Sequence, residues 1–150
     1  RPTALDLHQV SGEQNQIAAA SFFLHKVYKD MFERGESDRL RLAVIFDEAH
    51  RVARLKLLGT MMQESRKFGI MMVVSSQRAN DFHPRVIESA GNFLLLKVNP
   101  PDARTLAPVL AGYEGKDLVM PKLVDQRSYH AMFRSEAWRP YVEVALQEPQ

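Results

Sequence analysis

The sequence contains no cysteine, and several motifs that assign an enzyme class at once are also missing. With Cys 0 in 150 residues, a disulfide framework and a cysteine-based zinc site are both excluded. The His count of 5 gives no H-E-x-x-H or comparable ligand spacing, and no G-x-S-x-G occurs, so zinc-protease and serine-hydrolase chemistry have no support. The absence of cysteine fits a reducing cytosol, and we expect a cytoplasmic protein.

Long apolar runs and a phosphate-binding loop are missing as well. No run approaches the length of a membrane span, residues 1–10 show no signal-peptide pattern, and nothing in this segment suggests a membrane partner. No G-x-x-x-x-G-K-[ST] occurs, so the loop that cradles phosphates is not in this chain. Because the chain lacks an initiator methionine and opens almost directly on an apolar segment, we expect it to be part of a longer protein.

What is present is the composition of one ordinary globular domain. The chain is 45% hydrophobic and 25% charged, with a formal net charge of +2. That length and apolar content suffice to bury a core. The slight basic excess permits contact with nucleic acid but does not argue for it.

Apolar patterning predicts strands that alternate with helices. Strand candidates are residues 3–7, 42–46, 70–76 and 92–99. Helix candidates follow each of them, at 11–35, 54–69, 83–91 and 101–112, and the first has the form of a capping box, with Ser11 as N-cap and Gln14 at the third position. The alternation predicts an α/β fold with a mostly parallel sheet, whose continuous apolar strands at 42–46 and 70–76 are covered on both faces. Residues 127–134 and 141–146 predict a C-terminal antiparallel hairpin.

Two acids follow the strand candidate 42–46. In a parallel sheet, ligands bind at the carboxyl ends of the strands, where Asp47 and Glu48 stand. A nucleoside triphosphatase needs one carboxylate there to orient Mg²⁺ and another to take a proton from the attacking water. The alternative is a strand that simply ends in polar residues.

A polar cluster, Ser75–Arg78, ends the next strand at the same edge. A glutamine such as Gln77 can hold the attacking water or sense the γ-phosphate. Taken alone, the cluster is more typical of a polar exit from a strand, but two such clusters on successive strands favour a site.

Arg66 requires a geometric argument. It lies near the end of the 54–69 helix, which runs antiparallel to its strands, so it should lie at the edge opposite Asp47. If it acts in catalysis, it acts on a neighbouring subunit's nucleotide as an arginine finger. The alternative is a solvated arginine that interacts with the helix dipole.

The order of these pieces resembles the HerA-like branch of the HerA/FtsK superfamily of ring-forming DNA translocases, to which the VirB4 and TraG-type ATPases are related. The matching segments are "ALDLHQVSGEQ", "LAVIFDEAHRV", "ESRKFGIMMVVSSQR" and "VIESAGNFLLLKVNPPDARTL". The resemblance implies the C-terminal half of a RecA-like P-loop NTPase core, with ATP and Mg²⁺ as cofactors, DNA as a partner, a hexameric ring and a nuclease as a further candidate partner.

The resemblance also implies a role for each site residue. Asp47 becomes the Walker B acid that serves Mg²⁺, Glu48 the catalytic base, Gln77 the sensor and Arg66 the arginine finger. Asn99 and Asp102 match a recurrent N-P-x-D turn with a structural role. The P-loop strand would lie upstream of Arg1, so we expect a partial ATPase core at 1–112, a strand-rich extension at 113–150, and no hydrolysis by this chain alone.

Two other interpretations are open. The letters DEAH suggest a superfamily 2 helicase, but its Ser-Ala-Thr motif is replaced here by Ser75–Arg78 and the tail is too short for a second core domain. The chain could instead be a non-catalytic interaction module with a degenerate nucleotide fold. For DNA contacts in a ring channel the candidates are Arg51, Arg54, Lys56, Arg78 and Asn80, each of which, taken alone, is more typical of a solvated surface residue.

Overall fold

The computed structural model describes residues 3–7, 9–47, 49, 55–112 and 115–148. These fall into two compact units, each with its own core. The first unit comprises Arg1–Gln77 and Asp81–Ser89, and the second comprises Arg78–Asn80 and Ala90–Gln150. The expected partial ATPase core at 1–112 and strand-rich extension of the same domain at 113–150 stay a prediction.

The first unit is built on a long helix. Helix α1, Glu13–Arg34, buries Ala20, Leu24, Val27 and Met31, which recur at the three- and four-residue spacing of one helical face. It ends at Gly35, as predicted.

The predicted capping box at the start of α1 is wrong. Gly12 is the N-cap, and no side chain caps the helix. The side-chain amides of Asn15 and Gln16 instead donate to the carbonyls of Ser11 and Val10, both at 2.8 Å. These bonds tie down the entering chain and move the helix start one residue beyond the position that Ser11 would need.

Two parallel strands and a crossover helix complete this unit. Strand β1, Leu42–Phe46, pairs in parallel with β2, Ile70–Val74, and Leu42 lies opposite Ile70. Between them run α2, Lys56–Glu64, and a 3-10 turn, Ser65–Phe68, so the predicted helix tightens in its last turn. Helix α3, Pro84–Ser89, also belongs to this unit and begins at its proline as expected, whereas the 3-10 turn before it, Ala79–Asp81, has its first two residues in the second unit.

Helices of the described part of this unit pack against one face of its sheet. The apolar runs had predicted that both faces would be covered. Val44 and Ile70 are buried against α1 and α2. On the other face Ile45 is 69% exposed, together with Met71 and Val73. The described helices of the unit contribute to a single core, and that core contains only the face that carries Val44.

The predicted first strand, 3–7, is also wrong. These residues pair with no strand in the described part of the chain. Leu7 nevertheless packs against the core of the first unit. The apolar character of Leu7 therefore reflects the packing of one side chain against that core. The Val10 amide closes a turn by donating to the Leu7 carbonyl at 3.1 Å.

The second unit is an antiparallel sheet backed by two helices. Strand β3, Asn92–Leu95, pairs with β4, His130–Ser135, which pairs with β5, Trp138–Ala145. Helices α4, Pro100–Ala111, and α5, Lys116–Val124, contribute most of its core. That core contains Ala103, Leu106, Ala107, Leu110, Ala111, Val119, Leu123 and Met132.

These pairings confirm the α/β class and the C-terminal hairpin. Among the described strands, only β1 and β2 pair in parallel. The sequence predicts β3 as a parallel strand, but Leu94 lies opposite Phe133 in an antiparallel ladder. The hairpin that follows in sequence supplies β3 with this neighbour. Within the described residues, no helix is long and apolar enough to cross a membrane.

Candidate functional site

The carboxyl ends of β1 and β2 are fastened together beyond the last paired residues. The Ser75 amide donates to the Phe46 carbonyl at 2.9 Å, and the Ala49 amide donates to the Ser75 carbonyl at 2.7 Å. These bonds continue the parallel ladder into the two loops that leave the sheet. They fix the backbone on both sides of Asp47.

The Asp47 side chain is oriented by the neighbouring strand. The Ser75 hydroxyl donates to Asp47 Oδ1 at 2.6 Å, a short charge-assisted hydrogen bond. Both residues are exposed at the edge of the sheet. The structure therefore presents a carboxylate of defined orientation to solvent at the edge where parallel sheets bind ligands.

Gln77 reaches the same edge, because it lies three residues beyond the end of β2, and it is exposed. It belongs to the same compact unit as Asp47. Asp47 and Gln77 therefore both follow the carboxyl ends of paired strands in one unit, and their roles stay predictions. The predicted base Glu48 and the predicted DNA contacts Arg51 and Arg54 lie outside the described residues.

Arg66 lies at the opposite edge. It is exposed in the 3-10 turn Ser65–Phe68, whose cap Gly69 directly precedes β2. Since β1 and β2 are parallel and in register, Arg66 stands at their amino ends and Asp47 at their carboxyl ends. Five strand residues span about 16 Å, so these two side chains do not meet within one subunit.

Two of the predicted DNA contacts have defined surroundings. Lys56 is exposed at the first position of α2. The Asn80 side chain is engaged within its own unit, because Thr105 Oγ1 donates to Asn80 Oδ1 at 2.7 Å. Its amide oxygen is therefore already an acceptor for the protein, which weakens its assignment as a DNA contact.

The start of α4 contains a functional candidate that the sequence assigned only a structural role. Asn99 is the N-cap, and its Oδ1 accepts from the Asp102 amide at 2.9 Å, which confirms the structural interpretation of Asn99. The Asp102 carboxylate is buried and accepts from the Asn80 amide at 3.1 Å. The resemblance indicated a structural turn at these residues, but no local pattern could have revealed a partner 22 residues away.

The edge that carries Asp47 fits a magnesium ion that arrives with a nucleotide. Among the described residues no group of three or more His, Asp or Glu side chains could hold a metal by itself. Mg²⁺ in nucleotide sites keeps waters and binds through one or two carboxylates together with phosphate oxygens. A single oriented carboxylate with a neighbouring hydroxyl matches that requirement.

Comparison with known proteins adds an independent observation. The family model for the type IV secretion-system coupling protein DNA-binding domain matches residues 11–95. The chain belongs to this family. The matched range includes Asp47, Arg66 and Gln77 and ends at the last residue of β3. No curated protein matches this coupling-protein chain.

Solved structures show where this coupling-protein chain fits in a larger fold. It is similar to the bacterial conjugative coupling protein TrwBdeltaN70, with a TM-score of 0.71 and 16% identity over 89% of this chain and 38% of that one. The genome packaging NTPase B204 from Sulfolobus turreted icosahedral virus 2, in complex with AMP, gives a TM-score of 0.62 and 16% identity over 84% and 62% of the two chains. The plasmid coupling protein TrwB in complex with ADP and Mg²⁺ gives a TM-score of 0.71 and 15% identity over 92% of this chain and 38% of that one.

These likenesses confirm the predicted fold class, part of a RecA-like NTPase domain, and the predicted relationship to the HerA/FtsK-type coupling ATPases. The chain spans less than two thirds of the length of each of these structures.

Proposed function

We propose that this chain supplies part of the hydrolytic site of an ATP-driven, ring-forming DNA translocase of the coupling-protein type. The observation that carries the proposal is the Asp47–Ser75 hydrogen bond at the carboxyl edge of the parallel strands, 2.6 Å long, in a chain of this family. A carboxylate held in this way would orient the water shell of a Mg²⁺ ion bound to ATP.

The other site residues have complementary roles in this proposal. Glu48, next to the oriented acid, takes the proton of the attacking water, and Gln77 senses the γ-phosphate from the end of β2. The magnesium ion would neutralise the charge that develops on the phosphates. The strand and loop that cradle those phosphates come from the rest of the full-length protein, so the 150-residue chain alone should show no meaningful ATP turnover.

Arg66 acts in trans in this proposal. Because it lies at the amino edge of the strands whose carboxyl edge carries Asp47, it completes a neighbouring subunit's site in a ring, which we propose is a hexamer. DNA passes through the ring and is gripped through its phosphates by basic residues such as Lys56 and Arg78. A cytoplasmic location, helicase activity and cooperation with a nuclease are further parts of the proposal.

The first experiment measures ATP turnover by the full-length protein that contains this chain. Glu48→Gln and Asp47→Asn should each reduce kcat at least about a hundredfold, since each removes a group that acts in the transition state. Lys67→Ala, which changes an exposed cation beside Arg66, is the control and should leave kcat unchanged. Turnover that persists in Glu48→Gln would instead support the non-catalytic interaction module.

The second experiment tests the trans role by mixing subunits. Glu48→Gln and Arg66→Ala proteins should each be inactive alone. A mixed ring contains interfaces in which an intact Glu48 meets an intact Arg66 from its neighbour, so mixing should restore part of the activity. If Arg66 acted within its own subunit, no mixture would regain turnover.

A further inference from the structure

Three residues that directly follow the sensor glutamine belong to a different compact unit from their neighbours in sequence. Gln77 and Asp81 are part of the first unit, whereas Arg78–Asn80 are part of the second. The chain therefore leaves the first unit immediately after Gln77 and returns to it three residues later. The contacts that hold Arg78–Asn80 in the second unit therefore also restrain the peptide bond between Gln77 and Arg78.

Two side chains of α4 hold this segment through Asn80. Asp102 Oδ1 accepts from the Asn80 backbone amide at 3.1 Å, and Thr105 Oγ1 donates to Asn80 Oδ1 at 2.7 Å. Asp102 and Thr105 are three positions apart, so they lie on one face of the helix. Asn80 is thereby bonded through both its backbone and its side chain.

The acid in this arrangement is among the most buried polar groups described. Asp102 is 2% exposed, and a carboxylate withdrawn from water to that extent is costly unless hydrogen bonds satisfy it. In a capping box, the side chain at the third helical position reaches back to the N-cap amide. Here Asn99 forms its half of the box, whereas Asp102 Oδ1 is directed to the Asn80 amide instead. A cap alone does not require a buried acid with this partner.

We propose that Asp102 is a positioning residue for the sensor: it anchors the Arg78–Asn80 segment and so restricts the conformations open to Gln77. The inference rests on the proposed function of Gln77. Asp102 touches neither nucleotide nor water in this scheme and acts only through the peptide that continues from Gln77.

The first test measures hydrogen exchange of the Asn80 amide in the full-length protein. Asp102→Ala removes its acceptor and should speed exchange by on the order of tenfold. Asp117→Ala is the matched control, because Asp117 is an exposed acid in the first turn of α5, and it should leave exchange at Asn80 unchanged. Unchanged exchange in Asp102→Ala would overturn the inference.

The second test asks whether Asp102 acts through Gln77, by measuring kcat and KM for ATP in single and double variants. Asp102→Ala should lower kcat about tenfold with little change in KM, and should lower it no further in a Gln77→Ala background. Thr105→Val retains the buried acid and breaks only the side-chain bond, so it should lower kcat about threefold in a protein that folds normally.

The outcomes separate the two proposals. If Gln77→Ala is slow but Asp102→Ala and Thr105→Val reduce kcat by the same factors in both backgrounds, their effect is structural and only the positioning role is overturned. If the wild-type protein does not hydrolyse ATP, or Gln77→Ala is as fast as wild type, the proposed function fails and the inference falls with it.

Discussion

Gly69→Ala should destabilise the chain by about 3 kcal/mol, because Gly69 combines a left-handed backbone with a close neighbour. Its φ is 70° and its ψ 30°, and an L-residue pays about 1 kcal/mol to adopt that conformation. A Cβ at Gly69 would also overlap the carbonyl oxygen of Arg39, which is a backbone atom and cannot rotate away.

The overlap adds about 2 kcal/mol, since the segment that contains Arg39 cannot shift freely. The Arg41 amide donates to the Gly69 carbonyl at 2.7 Å, and the Ser37 amide donates to the Lys67 carbonyl at 2.9 Å. Moving Arg39 away from a new methyl group would strain both hydrogen bonds.

Urea unfolding of the 150-residue chain, followed by far-UV circular dichroism, measures this effect. At an m-value of about 2 kcal/mol per molar, the midpoint should fall by about 1.5 M. Gly35→Ala is the control, because Gly35 shares a φ of 70° but has no atom within 4 Å of an added Cβ. Its ψ of 179° is itself unfavourable for an L-residue, so Gly35→Ala should cost about 2 kcal/mol, still less than Gly69→Ala because no neighbour blocks the added Cβ. Equal losses in the two variants would refute the steric argument.

Three further predictions concern the core, a partly buried phenol and the proposed magnesium site. Leu24→Ala should cost about 3–5 kcal/mol in urea unfolding, because Leu24 is fully buried in the first core, and a loss below 1 kcal/mol would contradict that packing. Burial, and secondarily the Glu64 carboxylate that accepts from Tyr28 Oη at 3.2 Å, raises the pKa of Tyr28 above its ordinary 10.0. The neutral phenol thus favours the folded state, and its contribution, complete below pH 10, is lost as the pH rises through the raised pKa. The stability of wild type relative to Tyr28→Phe should therefore decline above pH 10, and a constant difference would exclude the coupling. Ser75→Ala should raise the Mg²⁺ concentration for half-maximal ATP turnover of the full-length protein roughly tenfold, because Asp47 loses its orienting partner, and an unchanged requirement would rule out that role.

Local patterns predicted the elements well where one segment determines its own structure. The spacing of apolar residues in α1 and the apolar runs of β1 and β2 are local features, and the structure confirms the elements that they predict. The capping box failed because Gly12, with a φ of 87°, takes the N-cap position in place of Ser11.

The sequence did not predict which distant segments pair with each other. The partner of β3 depends on a hairpin that begins 35 residues after β3 ends, at His130, and an apolar run does not specify whether its neighbour is parallel. The position of Asp47 at a strand end followed from the motif, whereas its orientation depends on Ser75, 28 residues later. The types and order of the residues therefore allowed candidate site residues to be proposed, but they did not predict the bonds that orient them.

The separation of Arg66 from Asp47 links the proposed chemistry to assembly. In-register parallel strands place the two residues at opposite edges of one sheet, farther apart than one side chain reaches. If both act on the same phosphate, two copies of the chain must meet, with the amino edge of one sheet facing the carboxyl edge of the next. Such a contact is heterologous, and repetition of it closes into a ring or continues as a filament. ATP turnover by the full-length protein should therefore rise with subunit concentration together with assembly, and turnover per subunit that stays constant down to the monomer would exclude the trans role of Arg66.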